Sequence, residues 1–168
     1  TGIQEPTTPS ELVTHATRRA YSDGAPWVKV ILDNFPPQFD APVAGVPGML
    51  NYGETELIAA TDAVHNVGGR LAVHTFTPEG AAMAVSAGVD SIEHGWALDS
   101  GLVDQMAERG IAWTPTLGLD KLMSDMARGK LENREANPVV ERWLNDTIEQ
   151  IEPLIVHAHK RGVTLLSG

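Results

Sequence analysis

Two periods of apolar spacing alternate along the chain. Short β-branched and apolar runs read as strands: WVKVIL at 27–32, RLAVH at 70–74, SIEH at 91–94, IAWTPTL at 111–117 and VTLL at 163–166. Between them apolar residues recur every three or four positions, the spacing of one helical face. Leu12, Ala16 and Ala20 follow a Thr8-Pro9-Ser10-Glu11 start, and Leu57, Ile58, Ala60, Val64 and Val67 run through Thr55–Val67. Ala81 to Ala87 follow Pro78 and Glu79, a proline and an acid suited to a first helical turn. Leu102, Val103 and Met106 lie in a helix predicted over Leu98–Gly110, and Trp143, Leu144, Ile148, Ile151 and Ile155 lie in one over Pro138–Arg161, with a kink expected at Pro153. Ser22-Asp23-Gly24, Gly68-Gly69, Gly88, Gly110 and Gly162 supply the stops. Pro115 places its strand at the end of pairing or at an edge.

Helix and strand therefore alternate through five strands, which predicts a parallel sheet with right-handed crossovers. A complete (β/α)8 barrel takes about 200–250 residues or more, and this chain has 168. The expectation is an α/β fold: an incomplete TIM-like barrel of about five parallel strands, with residues 1–168 forming part of one barrel domain. A first residue other than Met reads as a processed or partial chain. Two connections interrupt the alternation. Asp33–Gly53 carries four prolines and three glycines, a length and composition expected of a functional loop, and Asp120–Asn137 is a polar insertion.

Composition narrows the partners. A net charge of −10 argues against nucleic acid and anionic membrane surfaces. No apolar run reaches the ~18–20 residues of a membrane span. The absence of cysteine removes disulfides and thiolate ligands and leaves the compartment open, with a slight lean to the cytoplasm.

Candidate chemistry gathers at strand ends. His74 and His94 each close a strand, 20 residues apart, about one βα unit. The carboxyl ends of such strands converge on one surface, where two imidazoles form a candidate metal site. Lys29, flanked by Val28, Val30, Ile31 and Leu32, reads as a buried lysine with a lowered pKa. A neutral amine there can react with CO2 to give an anionic carbamate. The plainer alternative is a lysine snorkelling to a strand end or pairing with an acid. Strand alternation sends Glu93 to the face opposite His94, where it reads as structural. Asp33 reads as a strand cap or a cleft residue. His157 and His159 lie in a helix, where an i, i+2 pair does not share a face, and they read as complements to the helix dipole. His15 and His65 read as solvated helix residues without partners. No dinucleotide, Walker A or nucleophile-elbow motif is present.

The segments WVKVIL, GGRLAVHTFTPEGAAMAVSAGVDSIEHG, MAERGIAWTPTL and AHKRGVTLLSG resemble the metal-dependent amidohydrolase superfamily, in its prolidase-like and imidazolonepropionase-related branch (Xaa-Pro dipeptidases, Xaa-Arg carboxypeptidases). The resemblance implies a distorted (β/α)8 barrel, with this chain matching its fourth to eighth strands. It implies a hydrolase of C–N bonds in amides or peptides that uses metal-activated water. By position, Lys29 would be the carboxylated lysine bridging two zinc ions, and His74 and His94 would be metal ligands. The family's H-x-H strand is absent, and its catalytic aspartate would lie beyond Gly168. Tyr52, at the end of the long loop, is a candidate substrate contact. Expected partners are a small peptide or amide and, through open sheet edges, a second copy of the chain. The alternatives are a mononuclear cyclic-amide hydrolase or deaminase with an uncarboxylated lysine, and a non-catalytic barrel portion inactive without the rest.

Overall fold

The computed structural model describes residues 9–33, 50–118, 125, 128–129 and 138–167. The connection at 34–49 and most of the predicted insertion lie outside the described residues, as do the side chains of Trp143, Leu144 and Ile148. The elements are α1 (Pro9–Thr17), continued by one π-helical turn at Arg18–Ser22, then β1 (Trp27–Ile31), α2 (Glu54–His65) and β2 (Arg70–Thr75). They continue through α3 (Pro78–Ser86), β3 (Ser91–His94), α4 (Ser100–Arg109), β4 (Ala112–Thr114) and α5 (Pro138–Arg161). No described helix is long and apolar enough to cross a membrane.

The predicted alternation is observed. The four strands pair in parallel in the order β1-β2-β3-β4. The fifth predicted strand reaches the sheet through one parallel bridge, Trp113 with Leu165, in which Trp113 N–H donates to Thr164 O (2.9 Å) and Leu166 N–H donates to Trp113 O (2.8 Å). β4 ends at Thr114, immediately before Pro115, which has no N–H to give a ladder.

Local chemistry sets the helix ends. Thr77 caps α3 by accepting from Gly80 N–H at 3.0 Å, and Asp99 caps α4 by accepting from Leu102 N–H at 2.8 Å. Gly110 closes α4 in the left-handed region, at φ 72°, with its N–H on Met106 O.

Alternation along the strands divides the sheet into two faces. Val28, Val30, Leu71, Val73, Ile92 and Trp113 are buried and pack with Leu57, Ala60 and Val64 of α2, Ala81, Ala84 and Val85 of α3, and Val103 and Met106 of α4. At about 1.5–3 kcal/mol for each large aliphatic side chain taken out of water, this layer is the main source of stability. Lys29, Ile31, Ala72, His74, Glu93 and Ala112 alternate with those residues and are only partly covered.

The outer helices lock through charge as well as packing. His157 Nε2 and Arg161 Nε of α5 both meet Asp104 Oδ1 of α4, at 2.8 and 2.7 Å. His157 thus links two helices, a partner the sequence did not show. His65 pairs with Asp90 at 2.7 Å, contrary to its reading as a partnerless residue, and the same Asp90 oxygen accepts from Leu71 N–H at 2.8 Å.

Candidate metal centre

The register puts the candidate residues on one face. Lys29 lies opposite Ala72 and Ile31 opposite His74, while His74 lies opposite Glu93. Cross-strand partners share a face, so Lys29, His74 and Glu93 all project from the partly covered side. Alternation counted from His94 places Glu93 on the opposite face, and the register places it on this one. Glu93 faces the site, with Oε2 at 3.6 Å from Lys29 Nζ, and its Oε1 accepts from Ser91 (2.7 Å) and Thr114 (3.1 Å) hydroxyls.

His94 reaches the same side by leaving the strand. Its register partner is Thr75, which is fully buried on the other face. At His94 the backbone turns to φ 64°, a left-handed value that costs a non-glycine residue roughly 1–2 kcal/mol. Gly95 follows at φ 60°, and a methyl group there would press on Leu98 Cδ1 (2.7 Å) and Trp113 Nε1 (2.9 Å). Trp113 Nε1 donates to His94 O at 2.7 Å and holds the turn. The His94 ring consequently meets His74 at 4.5 Å between centroids and stacks on Phe76 at 4.6 Å. Phe76 also meets His74, at 4.6 Å, and Trp96, at 5.0 Å, so an aromatic wall surrounds the two imidazoles.

Burial shifts all three bases toward their neutral forms. Burial lowers the Lys29 pKa, with Glu93 opposing. Burial also lowers that of His74, with Lys29 adding and Asp33 and Glu93 opposing. The His94 pKa falls to about 4, chiefly through burial and then through His74 and Lys29. Lys29 is less buried than its apolar neighbours suggest. Its side chain is 44% exposed, because the flanking valines point to the helix layer while Lys29 points away. Its amine is nonetheless ringed by enough protein for desolvation to dominate.

Two supports were assigned too little by the sequence. Asp33 is fully buried beyond β1 and binds the turn that follows His74. Its carboxylate accepts from Thr75 Oγ1 (2.5 Å), Phe76 N–H (2.8 Å), Thr77 N–H (3.2 Å) and Thr77 Oγ1 (2.7 Å). It therefore neither caps its own strand nor lines a cleft. Gly80 leaves room for this knot, since a methyl group there would press on Asp33 Oδ2 (2.6 Å) and Thr77 Oγ1 (2.9 Å). The second support is Thr116, whose Oγ1 lies 2.7 Å from His94 Nδ1. Thr-x-Thr directly after a strand-end histidine was the available signal for Asp33; Thr116 had none short of coordinates. Tyr52 is 7% exposed and belongs to the apolar core.

The donor set fits a divalent cation in part. Two imidazoles in ring contact and one amine of lowered pKa share a face, and an amine becomes an oxygen ligand once carboxylated. Among the described residues no group of three or more His, Cys, Asp or Glu could hold a metal ion.

Comparison with known proteins agrees with this fold. No family model matches the chain. A Xaa-Pro dipeptidase crystallised with methionine in its active site superposes with a TM-score of 0.73 at 26% identity, over 97% of this chain and 38% of that one. An amidohydrolase superposes with a TM-score of 0.70 at 26% identity, over 95% of this chain and 37% of that one. Over 94 residues, 56% of the chain, the sequence is 32% identical to uncharacterized proteins of Mycobacterium tuberculosis and Mycobacterium bovis, and the match spans 24% of their length. The chain is thus a relative of the amidohydrolase superfamily, carrying part of its TIM-barrel architecture. A prolidase solved with N-methylphosphonate-L-proline superposes with a TM-score of 0.69 at 23% identity, over 91% of this chain and 36% of that one, a likeness of fold alone.

Proposed function

We propose that this chain supplies Lys29, His74 and His94 to the metal centre of a hydrolase that cleaves C–N bonds in small peptides or amides, with Xaa-Pro dipeptides as the first substrate class to test. The observation carrying the proposal is the meeting of the two imidazoles, 4.5 Å apart, on the face that also bears Lys29. The likeness to a Xaa-Pro dipeptidase supports the substrate class.

His74 and His94 would hold the cation through neutral ring nitrogens, and their lowered pKa values keep those nitrogens unprotonated at neutral pH. Lys29 Nζ, in its free-base form, would add to CO2. The new N–C bond forms as one C=O bond opens to an oxyanion, and the displaced proton leaves to water. The resulting carbamate would carry one negative charge shared by two oxygens and would present an oxygen ligand to a divalent cation. Glu93 would hold the unmodified amine in place at 3.6 Å. Phe76 and Trp96 would limit water around the rings. When bound, a divalent cation supplies Lewis acidity and a lowered pKa for water.

The test is zinc content and Xaa-Pro hydrolysis of the protein prepared with Zn2+ and bicarbonate, beside Lys29→Ala. Loss of bound zinc and of turnover in the variant supports the proposal. Full zinc content with unchanged turnover overturns it.

A further inference from the structure

The contact between His94 and Thr116 contains more than a distance. The Thr116 hydroxyl has one proton to give and lone pairs to receive. That proton is committed, because Thr116 Oγ1 donates to Pro115 O at 2.7 Å. The approach of His94 Nδ1 to the same oxygen, also 2.7 Å, then requires the ring nitrogen to be the donor. Pro115 O is itself anchored by Trp96 Nε1 at 3.1 Å, just as His94 O is anchored by Trp113 Nε1 at 2.7 Å. An indole thus fixes the backbone at each end of the link.

We infer that Thr116 is a positioning residue that holds His94 as the Nδ1–H tautomer and leaves the Nε2 lone pair facing the site for a metal ion. Both partners sit in left-handed backbone, His94 at φ 64° and Thr116 at φ 53°. Such strain persists where the surroundings over-determine it, and a β-branched residue there is a clear outlier. It places a hydroxyl from the end of β4 beside a ring from the end of β3. Metal-binding histidines characteristically give their second N–H to such an acceptor, which raises the basicity of the coordinating nitrogen. The tautomer assignment rests on the local hydrogen bonds; its purpose rests on the metal reading above.

Long-range 15N–1H correlation spectra of the protein at neutral pH report which nitrogen of each neutral imidazole carries the proton. His94 is expected as Nδ1–H in the wild type. Thr116→Val, nearly isosteric, should release it toward the Nε2–H form, and Thr116→Ser should restore Nδ1–H. Zn2+ affinity should fall about 10-fold or more in Thr116→Val and recover in Thr116→Ser. A wild-type His94 found as Nε2–H overturns the inference, as does a folded Thr116→Val with an unchanged tautomer. Retention of the tautomer pattern in a protein whose histidines ignore Zn2+ would uphold the Thr116 assignment and refute the metal reading alone.

Discussion

Replacing Asp33 tests how the site is held. Four donors converge on its buried carboxylate, two of them the backbone N–H groups of Phe76 and Thr77. Asp33→Ala leaves those two amides without their acceptor, and each buried polar group so stranded costs about 1–3 kcal/mol. The two hydroxyls can turn to other acceptors and add less. The expected loss is therefore about 3–5 kcal/mol, a large part of the roughly 5–15 kcal/mol that holds a typical domain together. With a urea m-value of about 2 kcal/mol/M, the midpoint should fall by about 2 M. Asp33→Asn keeps an acceptor for Phe76 N–H and a shape that fits, so about 1–2 kcal/mol is expected. Urea denaturation followed by circular dichroism gives the midpoints, and amide exchange at Phe76 and Thr77 locates the effect. A midpoint for Asp33→Ala within 0.3 M of wild type, or protection at those amides unchanged (about 0.5 kcal/mol or less), would refute the knot as a support for the His74 turn.

Further outcomes follow from the backbone and from charge. Gly95 and Gly88 both lie at positive φ, but only a methyl group on Gly95 meets packed side chains; Gly95→Ala should cost about 1–3 kcal/mol more than Gly88→Ala in thermal or urea unfolding. His94, with a pKa of about 4 against an ordinary 6.5, stays neutral in the fold while the unfolded chain takes up a proton. Its contribution to stability is present above about pH 6.5 and is lost as pH falls through about 4. An NMR titration with a His94 midpoint near 6.5 would contradict this. Gly80→Ala should mimic Asp33→Asn in direction, since the added methyl group pushes on Asp33 Oδ2 and Thr77 Oγ1; equal stability to wild type would argue against close packing there.

The alternating periods read from the sequence correspond to the helices and strands observed, and α5 spans the predicted Pro138–Arg161. Apolar periodicity is a local property, and so are the glycine and proline stops. What could not be read was register. Lys29 seemed buried because its neighbours are apolar, yet those neighbours face the helices. Glu93 was sent away from the site because alternation was counted from His94, the residue whose φ of 64° breaks the count. His65 and His157 found acidic partners 25 and 53 residues away, pairings that only the tertiary packing creates. Asp33 acts 42 to 44 residues along the chain for the same reason. The three residues first singled out do share a face, but the side chains that hold them there belong to the tertiary structure.

The most direct test of the shared centre is paramagnetic. Co2+ added to the protein in bicarbonate should broaden the ring signals of His74 and His94 and the side-chain signals of Lys29 first, leaving His15, His65, His157 and His159 sharp. Equal broadening across all six histidines, or none at His74 and His94, would contradict the account.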